Sequence, residues 1–352
     1  MTGSVDVIIP VHNTSRPVER AVESVTAERL PGVRVTVVCH GVDPQAIGDR
    51  VRHRSVRVIS HVDGVASAAG PMNAGLAQAD ADYVSRLDSD DWFERGALTR
   101  WLAHADASSA DVVIAPLRPD RGKPLYAPLT RPFRHSRLDG VRDRLAYRTA
   151  PFGLIRREAL DRLDAGYTPG LRVGEDLEIG LKLWFLAGRI DLAVDAGSYV
   201  VGDDQTDRTT ETTMTVAEEL GAAQRLVRQE WVHSLDASAR RSIAVKILRI
   251  HVLAAALKRG GNHHWSTADL EDLARVSAEL IELSPSVLRP FSRADSGLLR
   301  TLADRPSEAE LGTAIRTHAE ASRLDGTLSA TIAGNFDRES TIRRYVRYRL
   351  PR

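Results

Sequence analysis

Apolar runs of strand length alternate with amphipathic helical stretches along the first part of the chain, and that alternation admits few folds. Residues 5–10, 33–39, 56–60 and 83–87 are short, rich in β-branched residues and bounded by breakers, as buried strands are. Between them Pro17 opens a helix with Val18, Ala21, Val22 and Val25 on one face, and Pro44 opens a short helix to Val51. The Gly/Ala-rich residues 64–79 read as loop then helix. Strands joined through helices by short connections predict a mostly parallel, Rossmann-like α/β sheet with flanking helices. Such sheets bind ligands beyond the carboxyl ends of their strands, which here gathers the loops at Pro10, His40 and Asp88.

Further along, the pattern predicts a helix over 94–104, a strand over 111–115, and an ordered loop or lid over the Pro- and Arg-rich residues 117–137. Helices are expected over 138–147 and 157–163, with an extended stretch over 152–155 between them. Residues 175–187 place Leu177, Leu181, Trp184 and Phe185 on one face of a helix opened by two acids, which suit its dipole. A strand pair is expected over 190–194 and 198–201. After the polar run 203–213 strand signals cease, and amphipathic helices follow, broken at Gly260-Gly261, Pro285, Pro290 and Pro306. The reading is an α/β catalytic domain, residues 1–212, and an all-α domain, residues 213–352.

A net charge of +1 offers no global field for nucleic acid, so none is expected as a partner. The single cysteine, Cys39, fits a reducing compartment, and no basic region followed by an apolar run marks a signal peptide. The longest apolar stretch, 243–257, is interrupted by Lys246, Arg249 and His251 and is too short and too charged to span a bilayer. These features point to the cytoplasm, with the inner face of the membrane left open.

Chemistry concentrates in Tyr83-Val84-Ser85-Arg86-Leu87-Asp88-Ser89-Asp90-Asp91-Trp92, where a strand runs into three carboxylates. Mutual repulsion makes such a cluster costly unless a cation neutralises it. Oxygen ligands suit Mg2+ or Mn2+, which also bind substrate phosphates. On these residues alone, a solvated turn with Asp91 capping a helix from near Phe93 accounts for the pattern equally well.

Three segments together resemble family 2 glycosyltransferases of the GT-A fold. Val7-Ile8-Ile9-Pro10-Val11-His12-Asn13 is similar to the family's opening strand and loop. Asn73-Ala74-Gly75-Leu76, then Tyr83-Val84 and Leu87-Asp88-Ser89-Asp90-Asp91, resemble its approach to the aspartate motif. Gly174-Glu175-Asp176 resembles the acidic motif that supplies its catalytic base. The resemblance implies an inverting, metal-dependent hexosyltransferase acting on a nucleotide-diphosphate sugar, expected to be UDP-linked. Asp88 would hold the ribose side and Asp90 the Mn2+ or Mg2+, with Asp91, Pro10, His12, Asn13, His40 and Asn73 lining the nucleotide site. Asp176, ahead of Glu175, would take the acceptor's proton. Asp204 and Arg208 stand where the family often places a metal-binding histidine, and are implied for metal and diphosphate. The acid that often follows the second strand is absent; His40 and Asp43 are the polar residues there, and Met72 replaces a common arginine. A nucleotidyltransferase and an inactive GT-A binding module are the alternatives.

In the helical part, Arg240, Arg241, Lys246, Arg249, Lys258 and Arg259 accompany an apolar face of Ile243, Ile247, Ile250 and Leu257. Residues 341–352 carry five arginines and no acid, interleaved with Tyr345 and Tyr348. Basic beside apolar reads as a surface for an anionic polymer, a lipid-linked acceptor or a membrane, against a packed helix with a solvated rim. The layout resembles bacterial family 2 enzymes that decorate wall teichoic acid. Peripheral membrane association and self-association are left open.

Overall fold

The computed structural model describes residues 3–122, 127–203 and 214–349. Its contacts divide the chain into two compact units, Met1–Thr212 and Thr213–Arg352.

The first unit begins with β1 (Val5–Val11), α1 (Val18–Thr26), β2 (Val33–His40), α2 (Pro44–Arg50), β3 (Val56–His61), α3 (Ala69–Gln78) and β4 (Tyr83–Arg86). It continues through β5 (Trp92–Phe93), α4 (Ala97–Ser108), β6 (Val112–Ile114), β7 (Leu117–Pro119), β8 (Gly153–Arg156), α5 (Arg157–Leu163), α6 (Leu177–Leu186), β9 (Ile190–Leu192) and β10 (Tyr199–Val201). Seven strands form one sheet in the order β3-β2-β1-β4-β8-β6-β9. All its pairs are parallel except those of β8, which runs antiparallel to both β4 and β6. Central β1 is apolar throughout except for Asp6 and is almost wholly buried, as a strand covered on both faces must be. Edge strand β3 is half-exposed.

Asp6 is a buried carboxylate that ties three strands together. Its oxygens accept from Arg34 on neighbouring β2, Nε at 2.7 Å and Nη2 at 3.0 Å, and from the backbone N–H groups of Asp80 and Ala81 leading into β4. Gly75 lets α3 lie close on β1: a Cβ there would stand 2.4 Å from Ile8 Cγ2. Parallel pairing then sends the carboxyl ends of β1, β2 and β4 to one edge, where His12, His40 and Asp88 leave the sheet.

Three local expectations are corrected. No helix begins near Phe93 and Asp91 caps none; Trp92–Phe93 is β5, antiparallel to β10, and α4 starts only at Ala97 after Gly96 turns the chain at φ 74°. Cross-strand pairing and the packing of Phe93 on Trp101 and Tyr199 outweigh helical periodicity here. Residues 138–147 form turns that end in a short 3-10 helix, Leu145–Tyr147. Buried Asp143 takes the N–H groups of Arg131 and Asp139 and the Arg131 guanidinium, holding the segment in turns. The expected strand pair separates: β9 edges the large sheet beside β6, while β10 joins β5 and β7 in a three-stranded sheet.

The described residues of the second unit contain helices and no strand. They are α7 (Val216–Leu226), α8 (Glu230–Ser234), α9 (Ala237–Ile247), α10 (Leu253–Leu257), α11 (Thr267–Leu283), α12 (Arg293–Ala303), α13 (Glu308–Ala319), α14 (Ile332–Asn335) and α15 (Thr341–Arg349). A π-helical turn, Leu248–Val252, joins α9 to α10. Thr215, Asp236, Ser266, Ser292 and Ser307 each cap a helix by accepting a backbone N–H.

The expected basic face of α9 and α10 is spent internally. Lys246 is fully buried, with Nζ 2.7 Å from His251 Nε2. Arg241 pairs with Asp337, Arg259 and Lys258 with Glu219, and Arg249 with Glu339 while lying over the Phe291 ring. Helix α15 behaves differently: Tyr345, Val346 and Tyr348 are exposed, and only Arg347 is buried.

Candidate functional site

A cavity of about 710 Å³ opens in the first unit at the carboxyl edge of the large sheet. Its wall includes Pro10 and His12 from the end of β1, His40 from the end of β2, Asp88, Ser89, Asp90 and Asp91 after β4, and Glu175 and Asp176 at the start of α6. Two motifs far apart in sequence thus meet in one volume.

The three carboxylates after β4 have three different partners. Asp88 accepts from Arg86, with Nε at 2.7 Å. Asp90 is paired with the guanidinium of Arg16, from the turn before α1, and both side chains are largely buried. Asp91 accepts from the Tyr199 hydroxyl at 2.7 Å and from the Gly202 N–H at 2.8 Å. Burial, then the nearby Asp88 charge, push the Asp91 carboxyl up to about 7, against those hydrogen bonds. The Asp88 N–H in turn donates to Tyr199 Oη at 3.0 Å, so one buried phenol holds both ends of the acidic turn. Arg20 donates to the Asp90 carbonyl and lies over Trp92 at 4.1 Å, giving that tryptophan a cation to stack on.

Arg86 joins the two motifs: besides Asp88 it reaches Glu175 Oε1 at 3.4 Å. Burial opposes its charge and is outweighed by Asp88, Tyr167, Glu175 and Asp176. Glu175 is pushed above the ordinary carboxylate range by burial and then by Asp176, with Arg86 working the other way. Asp176 is the residue before α6, where the positive end of the helix dipole favours a charged carboxylate.

Of the nucleotide-site residues expected from sequence, Pro10, His12, His40, Asp88, Asp90 and Asp91 line the cavity, as do Glu175 and Asp176. Asn73 and Asn13 do not. The Asn73 amide is exchanged with the Tyr167 backbone, donating to its carbonyl at 2.8 Å and accepting its N–H at 3.0 Å, and Asn13 accepts from the Ser15 N–H. Asp43 caps α2 through the Gln45 N–H, which leaves His40 as the polar side chain at the end of β2 on the cavity wall. Asp204 and Arg208 lie outside the described residues.

Sequence reading missed Arg16, Arg86, Tyr199 and Asp63. Arg86 carried a signal, standing two positions before Asp88 in an extended stretch. Asp63, between the cavity-lining residues Val62 and Gly64, accepts from His40 at 2.7 Å and His61 at 3.1 Å; the Val65 N–H and then His40 hold its carboxyl well below the usual range. Tyr199 and Arg16 carried none, because only the fold brings them to the acidic turn.

The described residues contain no group of three or more His, Cys, Asp and Glu side chains that could hold a metal by themselves. A divalent cation that shares its shell with a diphosphate needs only one or two protein carboxylates. Asp88 and Asp90, oxygen donors on the cavity wall whose present partners are the arginines Arg86 and Arg16, fit that smaller requirement; both Asp91 oxygens are bound to Tyr199 and Gly202.

Residues 6–164 match the family model for glycosyl transferase family 2. Over 203 residues the chain is 19% identical to a poly(ribitol-phosphate) beta-glucosyltransferase of Bacillus spizizenii, a match covering 55% of this chain and 32% of the relative. Over 198 residues it is 22% identical to TarS, a poly(ribitol-phosphate) beta-N-acetylglucosaminyltransferase of Staphylococcus aureus, covering 55% of this chain and 34% of that one. The chain therefore spans about a third of the length of these relatives. The crystal structure of S. aureus TarS 1-349 with UDP-GlcNAc is similar with a TM-score of 0.76 at 16% identity, covering 90% of this chain and 92% of that one. That likeness extends through the helical unit as well.

Proposed function

We propose that this chain, whose residues 6–164 are those of a family 2 glycosyltransferase and whose first unit has the GT-A fold, transfers a sugar from a UDP-linked donor to a hydroxyl of a polyanionic cell-envelope polymer, with inversion and with a divalent cation, on the cytoplasmic side. The observation that carries the reading is Arg86, one guanidinium touching both Asp88 of the aspartate motif and Glu175 beside Asp176. The aspartate motif and the acid beside the proton acceptor are thereby tied to one guanidinium, inside a cavity of the size that encloses a small ligand.

Each residue has a separate task. His40, with its ring oriented by Asp63, faces the cavity from the end of β2, where a nucleobase edge would lie. Asp88 and Asp90 are the residues that would hold Mn2+ or Mg2+, which when bound neutralises charge on the departing diphosphate. Asp176, at the residue before α6, takes the proton of the attacking hydroxyl. Glu175, half-buried and anchored on Arg86, orients the base loop. One displacement from the face opposite the leaving group inverts the anomeric carbon. The polymer acceptor and the UDP donor are supported by what the relatives' names state of those proteins.

The test is direct transfer. The chain is incubated with UDP-GlcNAc or UDP-glucose and poly(ribitol phosphate), with Mn2+ or with chelator, and released UDP and polymer-bound sugar are measured. Cation-dependent UDP release with sugar on the polymer is the expected result. Absence of both donor hydrolysis and transfer with Mn2+ present overturns the reading.

A further inference from the structure

Asp90, the proposed cation ligand, already has a counter-ion built into the fold. The Arg16 side chain is 6% exposed and the Asp90 side chain 12%, so their ion pair lies largely out of water on the cavity wall. The backbone under each partner is fixed. Arg16 N–H donates to the Asn13 carbonyl at 3.2 Å, and the Arg16 carbonyl accepts from Val18 N–H and Arg50 Nη2, both at 2.8 Å. On the other side Arg20 holds the Asp90 carbonyl. With both backbones tied, the long Arg16 side chain is the part able to move.

A bare cation arriving at Asp90 would have to break this pair and strand the Arg16 charge in a buried place, at a steep desolvation cost. A cation arriving with a diphosphate brings the anion that a planar guanidinium binds well. We propose that Arg16 is an exchangeable counter-ion. It occupies Asp90 in the empty site, yields it to the cation, and turns onto the diphosphate, so that cation and nucleotide bind together rather than one after the other. This rests on the cation reading given above. The coupling is reciprocal, since each ligand must raise the affinity of the other by the same factor.

The experiment measures Mn2+ binding to the full chain by electron paramagnetic resonance of free Mn2+, with and without UDP, in the wild type and in Arg16→Gln. Wild type is expected to bind Mn2+ weakly alone and at least roughly tenfold more tightly with UDP, within the usual range of such couplings. Arg16→Gln is expected to bind Mn2+ alone at least roughly tenfold more tightly than wild type, with the gain from UDP correspondingly reduced. If Arg16→Gln does not fold by circular dichroism, Arg16→Met, which keeps the apolar stem, is judged by the same criterion. Equal Mn2+ affinity in variant and wild type, with UDP-dependent binding retained, overturns the exchange while leaving the cation reading intact. A wild type that binds UDP in chelator and never binds Mn2+ overturns both, which separates the two failures.

Discussion

Asp88, Asp90 and Asp91 are chemically alike and sit within one turn, yet they are expected to respond differently to the same substitution. Asp90→Asn removes one ligand charge at a position whose backbone is held by Arg20. It should abolish cation-dependent donor binding and, because it leaves buried Arg16 without its counter-ion, also lower stability; UDP titrations of the folded variant with Mn2+ and with chelator check this, and unchanged Mn2+ dependence would sink the assignment. Asp176→Asn should lower turnover about 10²–10⁴-fold, the usual worth of positioned proton transfer, with donor affinity nearly unchanged. Should Glu175→Gln show that pattern while Asp176→Asn stays mild, the two acids exchange roles. The acidic cluster itself was plain in the sequence. The partner of each carboxylate was not, because Tyr199 reaches Asp91 across 108 residues and Arg16 comes from the turn that follows β1.

At the scale of elements, β1, β2 and the entry to β4 share one buried carboxylate. Burial pushes the Asp6 carboxyl up, but the Arg34 pair and the N–H groups of Asp80 and Ala81 outweigh it, leaving the group below the ordinary aspartate range. A depressed carboxylate contributes stability that is fully present above its unfolded value and is lost as pH falls through the lower folded value. Urea midpoints measured downward from pH 5 should therefore fall in the wild type, with Asp6 contributing to the loss. Asp6→Asn should cost about 1–3 kcal/mol at pH 7, allowing for Arg34 being partly solvated, and should flatten that acid limb. An equally steep limb in the variant would remove Asp6 from the account. The strands that read correctly from sequence, β1 to β4, are those whose apolar runs and breakers agree with their tertiary role. The failures, β5 and residues 138–147, occur where a cross-strand partner or a buried carboxylate supplies what local periodicity does not.

Across the whole molecule, charge that looked like a binding face in the sequence divides into two kinds. Arg241, Arg249, Lys258 and Arg259 are neutralised within the helical unit by Asp337, Glu339 and Glu219. Helix α15 instead leaves Tyr345 and Tyr348 more than half exposed among arginines, and no acid lies in residues 341–352. Deleting 341–352 is therefore expected to raise the KM for an anionic polymer and weaken its salt dependence, with Mn2+-dependent donor hydrolysis unchanged. Initial rates against polymer concentration at several ionic strengths decide it, and unaltered KM and salt slope would make the segment structural. Among the described residues no helix is long and apolar enough to cross a membrane.

What the sequence determined by itself was the order of strands and helices from β1 to β4, the change to helices after the polar run, and the two acidic motifs. Apolar periodicity, proline and glycine punctuation and clustered like charge all act within a few residues, so they can be read locally. What only the tertiary structure decided was how that acidity is held: Arg86 between Asp88 and Glu175, Arg16 on Asp90, Tyr199 on Asp91, and Asn73 spent on backbone. Those pairings depend on which strand ends the parallel register brings to one edge, and burial there makes each unpartnered charge too costly to leave alone.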